Sequence, residues 1–285
     1  MRRSFPVLVF LYFLSLFLAG CLAPLLFYCV QILDSNFSFS LSHYLASKPL
    51  CQYVDRLRLV IFLSLVLKFV FKYHLYKKWN LFHGAKTYLL CFIKGCCLWL
   101  FLFGIIYTQI GLSTYESFSI HYIQIFLASF CIAFLEEIVF RGFCFDFLSE
   151  RYSIYFKMFV LSFIFAILHF SFCSPVADVP LGVQGLVCAS QSIFCISNHF
   201  QVTYFFCLFF LGIYLTQSRC IYGTLWSCIG FHQGLVFTLM ILRKLYPHAP
   251  RGSFWGCGAI TDTWFSVLCL LFLVIAVQVR WRRKI

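Results

Sequence analysis

Apolar runs of about 20 residues recur along almost the whole chain of 285 residues, and each is long enough to cross a bilayer. With 62% hydrophobic and 11% charged residues, the chain carries more apolar surface than a soluble domain of this length could bury. These features predict an all-α, polytopic transmembrane helix bundle. They also predict one membrane domain over residues 1–285, with no separate soluble domain.

Hydropathy predicts about eight spans. They lie at residues 5–33, 57–76, 88–112, 120–148, 156–174, 200–217, 221–242 and 263–281. Prolines and glycines interrupt residues 175–199, which we interpret as a re-entrant or interfacial segment. Leu18-Ala19-Gly20-Cys21 resembles a lipoprotein cleavage box. Because the apolar run continues to Leu33, an uncleaved first span is expected.

The basic residues behind the net charge of +13 cluster beside the ends of apolar runs. This placement favours contact with anionic lipids over nucleic acid, and it predicts that both termini are cytoplasmic. A bacterial cytoplasmic membrane is expected, since no endoplasmic-reticulum retention signal is present. Most of the 16 cysteines lie within apolar runs and form no CxxC pair, so they are interpreted as small hydrophobic residues.

The fourth predicted span contains two adjacent carboxylates and an arginine among apolar residues, in the run 134–143. Charge at membrane depth is costly and indicates function by default. Glu137 and Arg141 are four residues apart, so on a helix they share a face and can form an ion pair. Glu136 points about 100° away and has no partner within its own helix. An unpaired carboxyl group in apolar surroundings can exchange a proton near neutral pH, so Glu136 is the candidate general base.

Two histidines lie at a depth similar to that of Glu136. With a rise of about 1.5 Å per residue, Glu136, His169 and His232 all lie roughly 17–20 Å from the cytoplasmic ends of their predicted spans. We therefore predict that three helices bring them together in a buried polar pocket. For either histidine alone, a polar link between helices is the more common role.

Three ordered motifs resemble the CPBP family of CAAX proteases and bacteriocin-processing enzymes, whose founder is the type II CAAX prenyl endopeptidase. They are Glu136-Glu137-x-x-x-Arg141, Phe165-x-x-x-His169 and His232, within a family-like core at about 120–242. The resemblance implies about eight helices and proteolysis inside the membrane, often near a prenylated cysteine. It further implies that Glu136 and His169 activate water, that His232 stabilises the oxyanion, and that Glu137, Arg141 and Phe165 support the site.

The resemblance leaves two points open. The family is often labelled as metalloproteases, and zinc could be bound by Glu136, His169 and His232. The chain has no HExxH motif, so water activation without metal is preferred. Family members usually carry Asn four residues after the last histidine, where this chain has Val236, and Gln233 faces elsewhere on the helix. Weak activity or an inactive enzyme is therefore an alternative.

Three functions remain as hypotheses. The first is an endopeptidase that cleaves a membrane-embedded or lipidated peptide or protein. The second is a catalytically inactive relative that binds or protects a partner, as the replacement at Val236 suggests. The third is a proton-coupled transporter that uses Glu136 and the histidines as a relay.

Overall fold

The computed structural model describes residues 4–37, 40–72, 84–110, 121–148, 152–170, 179–194, 200–245 and 263–282. Within these ranges the regular structure is helical and contains no strand, which confirms the all-α prediction. The helices are α1 (Ser4–Phe37), α2 (Ser40–Ala46), α3 (Leu50–Lys72), α4 (Ala85–Ile110), α5 (His121–Glu137), a π-helical segment (Ile138–Cys144), α6 (Phe145–Phe147), α7 (Ile154–Leu168), α8 (Leu181–Phe194), α9 (Val202–Tyr222), α10 (Trp226–Leu245) and α11 (Trp264–Arg282).

Among the described residues, five helices are long and apolar enough to cross a membrane. They are Val9–Phe37, Ala85–Ile105, Tyr122–Phe147, Val202–Tyr222 and Trp226–Leu245. The predicted spans 156–174 and 263–281 correspond to the shorter apolar helices Ile154–Leu168 and Trp264–Val279. The predicted span 57–76 overlaps α3, which carries several charged residues. The total of eight spans stays a prediction.

The chain divides into two compact units. The first unit contains residues 1–72 and 167–200, and in it α1 packs against α2, α3 and α8. Its core is formed by side chains that include Ala19, Ala23, Val54 and Cys188. The predicted re-entrant segment 175–199 contains α8, whose 14 residues are fewer than the roughly 20 needed to span a bilayer. The prediction of one membrane domain over 1–285 is not tested by this division.

The second unit contains residues 73–166 and 201–285, and in it α10 packs against α4, α5 and α9. Glycines let α4 and α10 approach closely, since an added Cβ at Gly230 or Gly234 would lie 2.3 Å from a backbone oxygen of α4. His232 is two residues from each glycine, so it lies on the opposite side of α10. The Gly-x-x-x-Gly spacing therefore assigns one side of α10 to helix packing and leaves the other side for His232.

The α-helical pattern changes at the motif that carries the paired carboxylates. The sequence predicts a single span over 120–148, but α5 ends at Glu137 and the next seven residues form the π-helical segment. The Phe145 N–H donates to the Phe140 carbonyl, five residues earlier. Wide turns of this kind are rare in proteins and frequently mark functional sites.

Candidate functional site

Glu137 and Arg141 form the ion pair that their spacing predicts. Arg141 Nη1 donates to Glu137 Oε1 at 3.1 Å, and both side chains are fully buried. A buried ion pair needs further hydrogen bonds to offset the loss of water. Arg141 Nη2 accordingly donates to the Gly212 carbonyl at 3.2 Å, and the guanidinium carbon lies 4.5 Å from the centre of the Phe165 ring.

His232 lies between the two adjacent carboxylates. Its Nδ1 is 2.8 Å from Glu137 Oε1, and its Nε2 is 3.9 Å from Glu136 Oε2. The contact between His232 and Glu137 was not predicted, because the spacing of four residues indicates only the ion pair of Glu137 with Arg141. Helical spacing predicts partners within one helix, whereas His232 is 95 residues away on α10.

The contact with Glu137 orients the His232 imidazole. A carboxylate only accepts hydrogen bonds, so with Glu137 as a carboxylate the donor in this contact is Nδ1–H of His232. The second ring nitrogen then faces Glu136. Their separation of 3.9 Å is too long for a direct hydrogen bond, but one water molecule or one substrate oxygen can contact both groups.

The two carboxylates differ in their access to the surroundings. The Glu136 side chain is 25% exposed, whereas that of Glu137 is fully buried. Part of the Glu136 side chain is therefore accessible, and its Oε2, which faces His232, is buried. Glu137 can act only through the groups that it contacts. This difference agrees with the assignment of Glu136 as general base and Glu137 as a supporting residue, although neither role is thereby tested.

Phe165 closes the buried side of the site. The ring is fully buried, lies edge-on to His232 at 6.1 Å between centroids, and packs against Phe140 at 5.2 Å. It also lies under the Arg141 guanidinium. The ring restricts the positions that His232 and Arg141 can adopt and excludes water from their shared face.

His169 lies in a turn directly after α7 and is half-buried. It belongs to the first compact unit, whereas Glu136 and His232 belong to the second. The meeting of all three residues therefore stays a prediction.

Catalytic zinc sites use three protein ligands, and the described part of the chain contains no group of three or more His, Cys, Asp or Glu residues that could hold a metal ion. We derive no catalytic step through zinc.

The position of the expected asparagine offers no hydrogen-bonding group. Val236 is half-buried on α10. The carboxamide of Gln233 serves helix packing instead, because its oxygen accepts from the Tyr88 hydroxyl and its nitrogen donates to the Phe126 carbonyl at 3.3 Å. As the spacing predicts, Gln233 faces away from the site, toward α4 and α5.

A second buried ion pair was missed in the sequence. Asp146 lies near the end of the fourth predicted span, where a solvated carboxylate is expected, and Arg219 lies between the predicted spans 200–217 and 221–242, in a segment expected to be cytoplasmic. In the structure Arg219 lies in the last turn of α9, is 8% exposed, and donates to both Asp146 oxygens at 2.8 and 2.9 Å. In the sequence, one acidic and one basic residue lie near the ends of two apolar runs. Because they are 73 residues apart, local spacing does not indicate that they form an ion pair.

Residues 117–238 match the family model of the type II CAAX prenyl endopeptidase Rce1-like family. This match confirms the resemblance that the motifs indicated, and it covers Glu136, Glu137, Arg141, Phe165, His169 and His232. No curated protein and no solved structure matches the chain. Residues 117–238 are thus similar to that endopeptidase family, and the long apolar helices among the described residues identify the chain as an integral membrane protein.

Proposed function

We propose that this protein is an intramembrane endopeptidase that hydrolyses a peptide bond in a membrane-embedded or lipidated substrate, with prenylated peptides as the first class to test. The observation that carries the proposal is the His232 imidazole between Glu136 and Glu137, inside the region that matches the family. A partly exposed carboxylate beside a buried, oriented imidazole is suited to water activation and to stabilisation of negative charge.

In the proposed reaction, Glu136 removes a proton from water while the water oxygen attacks the carbonyl carbon of the substrate. The carbonyl oxygen becomes an oxyanion and accepts a hydrogen bond from Nε2–H of His232. In this proposed state both ring nitrogens carry a proton, Nδ1–H donates to Glu137, and the Glu137 carboxylate offsets the positive charge of the ring. The carbon–nitrogen bond then breaks, and the proton held by Glu136 moves to the departing amine. Glu136 thus acts first as base and then as acid.

Glu137 and Arg141 have positioning roles in this proposal. Glu137 accepts a hydrogen bond from His232 Nδ1–H and so directs Nε2 toward Glu136. Arg141 pairs with Glu137 and ties it to α9 through the Gly212 carbonyl. The resemblance assigns His169 to water activation beside Glu136, and we retain that assignment as part of the proposal.

We expect Val236 to lower the kcat of the proposed reaction. Loss of one oxyanion donor typically reduces kcat by about a hundredfold or more, and Val236 stands where relatives usually provide such a donor. The alternative of an inactive protein that binds a partner through the same scaffold rests on this residue. Transport coupled to protons is the third candidate, because Glu136 and His232 could exchange a proton.

The proposed setting is a bacterial cytoplasmic membrane, with both termini on the cytoplasmic side. The basic residues beside the apolar runs would contact anionic lipid head groups there. The substrate would reach Glu136 from within the membrane, as a lipid-anchored or membrane-spanning segment.

The test is cleavage of a fluorogenic, prenylated peptide by purified protein in liposomes. We expect Glu136→Gln and His232→Ala to lose about a hundredfold or more in kcat/KM. The matched control is Asp55→Asn, which makes the same acid-to-amide change at a partly exposed pair with Arg58 and should cleave like wild type. Equal products from wild type and both site variants would refute the peptidase proposal.

The same samples separate the alternatives. Partner binding that survives in Glu136→Gln without any cleavage would favour the scaffold. Uptake driven by a pH gradient in the liposomes would favour transport. Addition of a chelator measures metal dependence directly, since a zinc enzyme would lose activity and regain it with added Zn²⁺.

A further inference from the structure

The buried pair Arg219–Asp146 joins the two segments that carry the proposed site. Asp146 lies in α6, directly after the π-helical segment that follows Glu136 and Glu137. Arg219 lies in the last turn of α9, and its carbonyl accepts from the Gly223 N–H in the turn that leads to α10 and His232. Gly223 has a φ of +66°, which favours glycine and ends α9 sharply at this point.

Two guanidinium groups connect α9 and the π-helical segment in opposite directions. Arg141 of the π segment donates to the Gly212 carbonyl of α9 at 3.2 Å. Arg219 of α9 contacts the Gly142 carbonyl of the π segment at 3.5 Å and binds Asp146. Gly212 and Arg219 are seven residues apart, about two turns or roughly 10 Å along one face of α9. Two attachments at this distance prevent sliding of the π segment along α9.

The surroundings hold the Arg219 guanidinium in one position. Its central carbon lies 4.7 Å from the centre of the Phe145 ring, and the Asp146 carboxylate binds it through two oxygens. Nη2 makes both contacts with Asp146, while Nη1 faces the Gly142 carbonyl. The planar guanidinium thus reaches two partners with two nitrogens, whereas a lysine ammonium offers only one nitrogen. These contacts fix the orientation of the Arg219 guanidinium as well as the position of its charge.

We propose that Asp146 and Arg219 are positioning residues for the site, which set the height of the two carboxylates relative to His232. The proposal rests on the proposed peptidase function. The Arg219 attachment fixes the π segment at its C-terminal end, and the segment's N-terminal end fixes Glu137. A shift of the segment along α9 would lengthen the contact between Glu137 Oε1 and His232 Nδ1 and change the 3.9 Å gap to Glu136.

The test compares Asp146→Asn and Arg219→Lys with wild type, in kinetics and in the NMR signal of the His232 Nδ1 proton. A misplacement of about 1 Å can cost up to a hundredfold in rate, so we expect kcat to fall roughly tenfold to a hundredfold with KM nearly unchanged. The protein has 8 histidines, and His232→Gln assigns the signal of interest. That signal should move in both variants, because its hydrogen bond to Glu137 lengthens.

Two further variants serve as controls. Lys157→Gln removes the other cation over the Phe145 ring, at 5.2 Å, and should leave both kcat and the His232 signal unchanged. Asp146→Glu retains a carboxylate for Arg219 and should recover most of the lost rate. If Asp146→Asn does not fold, Arg219→Lys alone provides the test of the positioning role.

Folded variants with wild-type kcat and an unmoved His232 signal would overturn the positioning role. So would a lower yield of folded protein whose folded fraction is fully active, since that result indicates a structural role alone. If wild type itself cleaves no peptide, the proposed function fails, and the NMR signal still decides whether Asp146 and Arg219 position His232.

Discussion

The two compact units place their charged side chains in different surroundings. In the first unit the pair Asp55–Arg58 keeps 25% and 17% of its side chains exposed, and His43 beside Asp34 is 83% exposed. In the second unit the side chains of Glu137 and Arg141 are fully buried, and those of Arg219 and Asp146 are 10% and 11% exposed. Because burial makes charge costly, the described ion pairs with the larger desolvation cost lie in the second unit.

The largest effect should come from removing one half of the fully buried pair. Arg141→Ala leaves the buried Glu137 carboxylate without its guanidinium partner and with only the contact to His232, and we expect a loss of about 3–5 kcal/mol in the free energy of unfolding. Reversible unfolding in mixed micelles measures this loss. A stability close to that of wild type would show that the contrast between the two units has no energetic basis.

A smaller effect, in the opposite direction, should follow from restoring the missing amide. Val236→Asn adds a hydrogen-bond donor one helical turn after His232, on the same face of α10. We expect kcat to rise up to about a hundredfold, equivalent to roughly 2.7 kcal/mol of barrier. Steady-state cleavage of the prenylated peptide measures the change. A Val236→Leu variant, which adds bulk without a donor, should show no gain.

The packing of α4 against α10 allows a third comparison on a single helix. Gly95→Ala places a Cβ 2.4 Å from the Phe231 carbonyl, whereas the same change at Gly104 meets nothing within 4 Å. We expect Gly95→Ala to lower the free energy of unfolding by about 1–3 kcal/mol. Gly104→Ala should be neutral or slightly stabilising, because alanine favours helix more than glycine does. Equal stabilities would mean that the close approach of the helices is not required.

The smallest effect is expected at the partly exposed pair of the first unit. Arg58→Ala removes an ion pair with Asp55 at 3.5 Å, and such pairs contribute about 0–1 kcal/mol. Thermal unfolding of this variant beside Arg141→Ala measures the two cases under one condition. A loss at Arg58 that equals the loss at Arg141 would contradict the distinction between the units.

The amino-acid sequence was sufficient for the helical class, for the ion pair Glu137–Arg141 and for the family resemblance. Each of these depends on local spacing: apolar runs of a set length, charges four residues apart, and motifs in a fixed order. The same spacing correctly predicted that Gln233 faces away from the site.

Three features lay beyond such spacing. The contact of Glu137 with His232 and the pair Arg219–Asp146 join residues 95 and 73 positions apart, and only packing of the helices selects them. The π-helical segment interrupts a run that the apolar pattern predicts as one helix, and it contacts α9 through Arg141 and Gly142. Local patterns specify which residues share a helix face, because helical geometry repeats within a few residues. Which two helix faces contact each other depends on how whole helices pack. Here α4 packs against the glycines of α10, and His232 on the opposite side of α10 faces the two carboxylates.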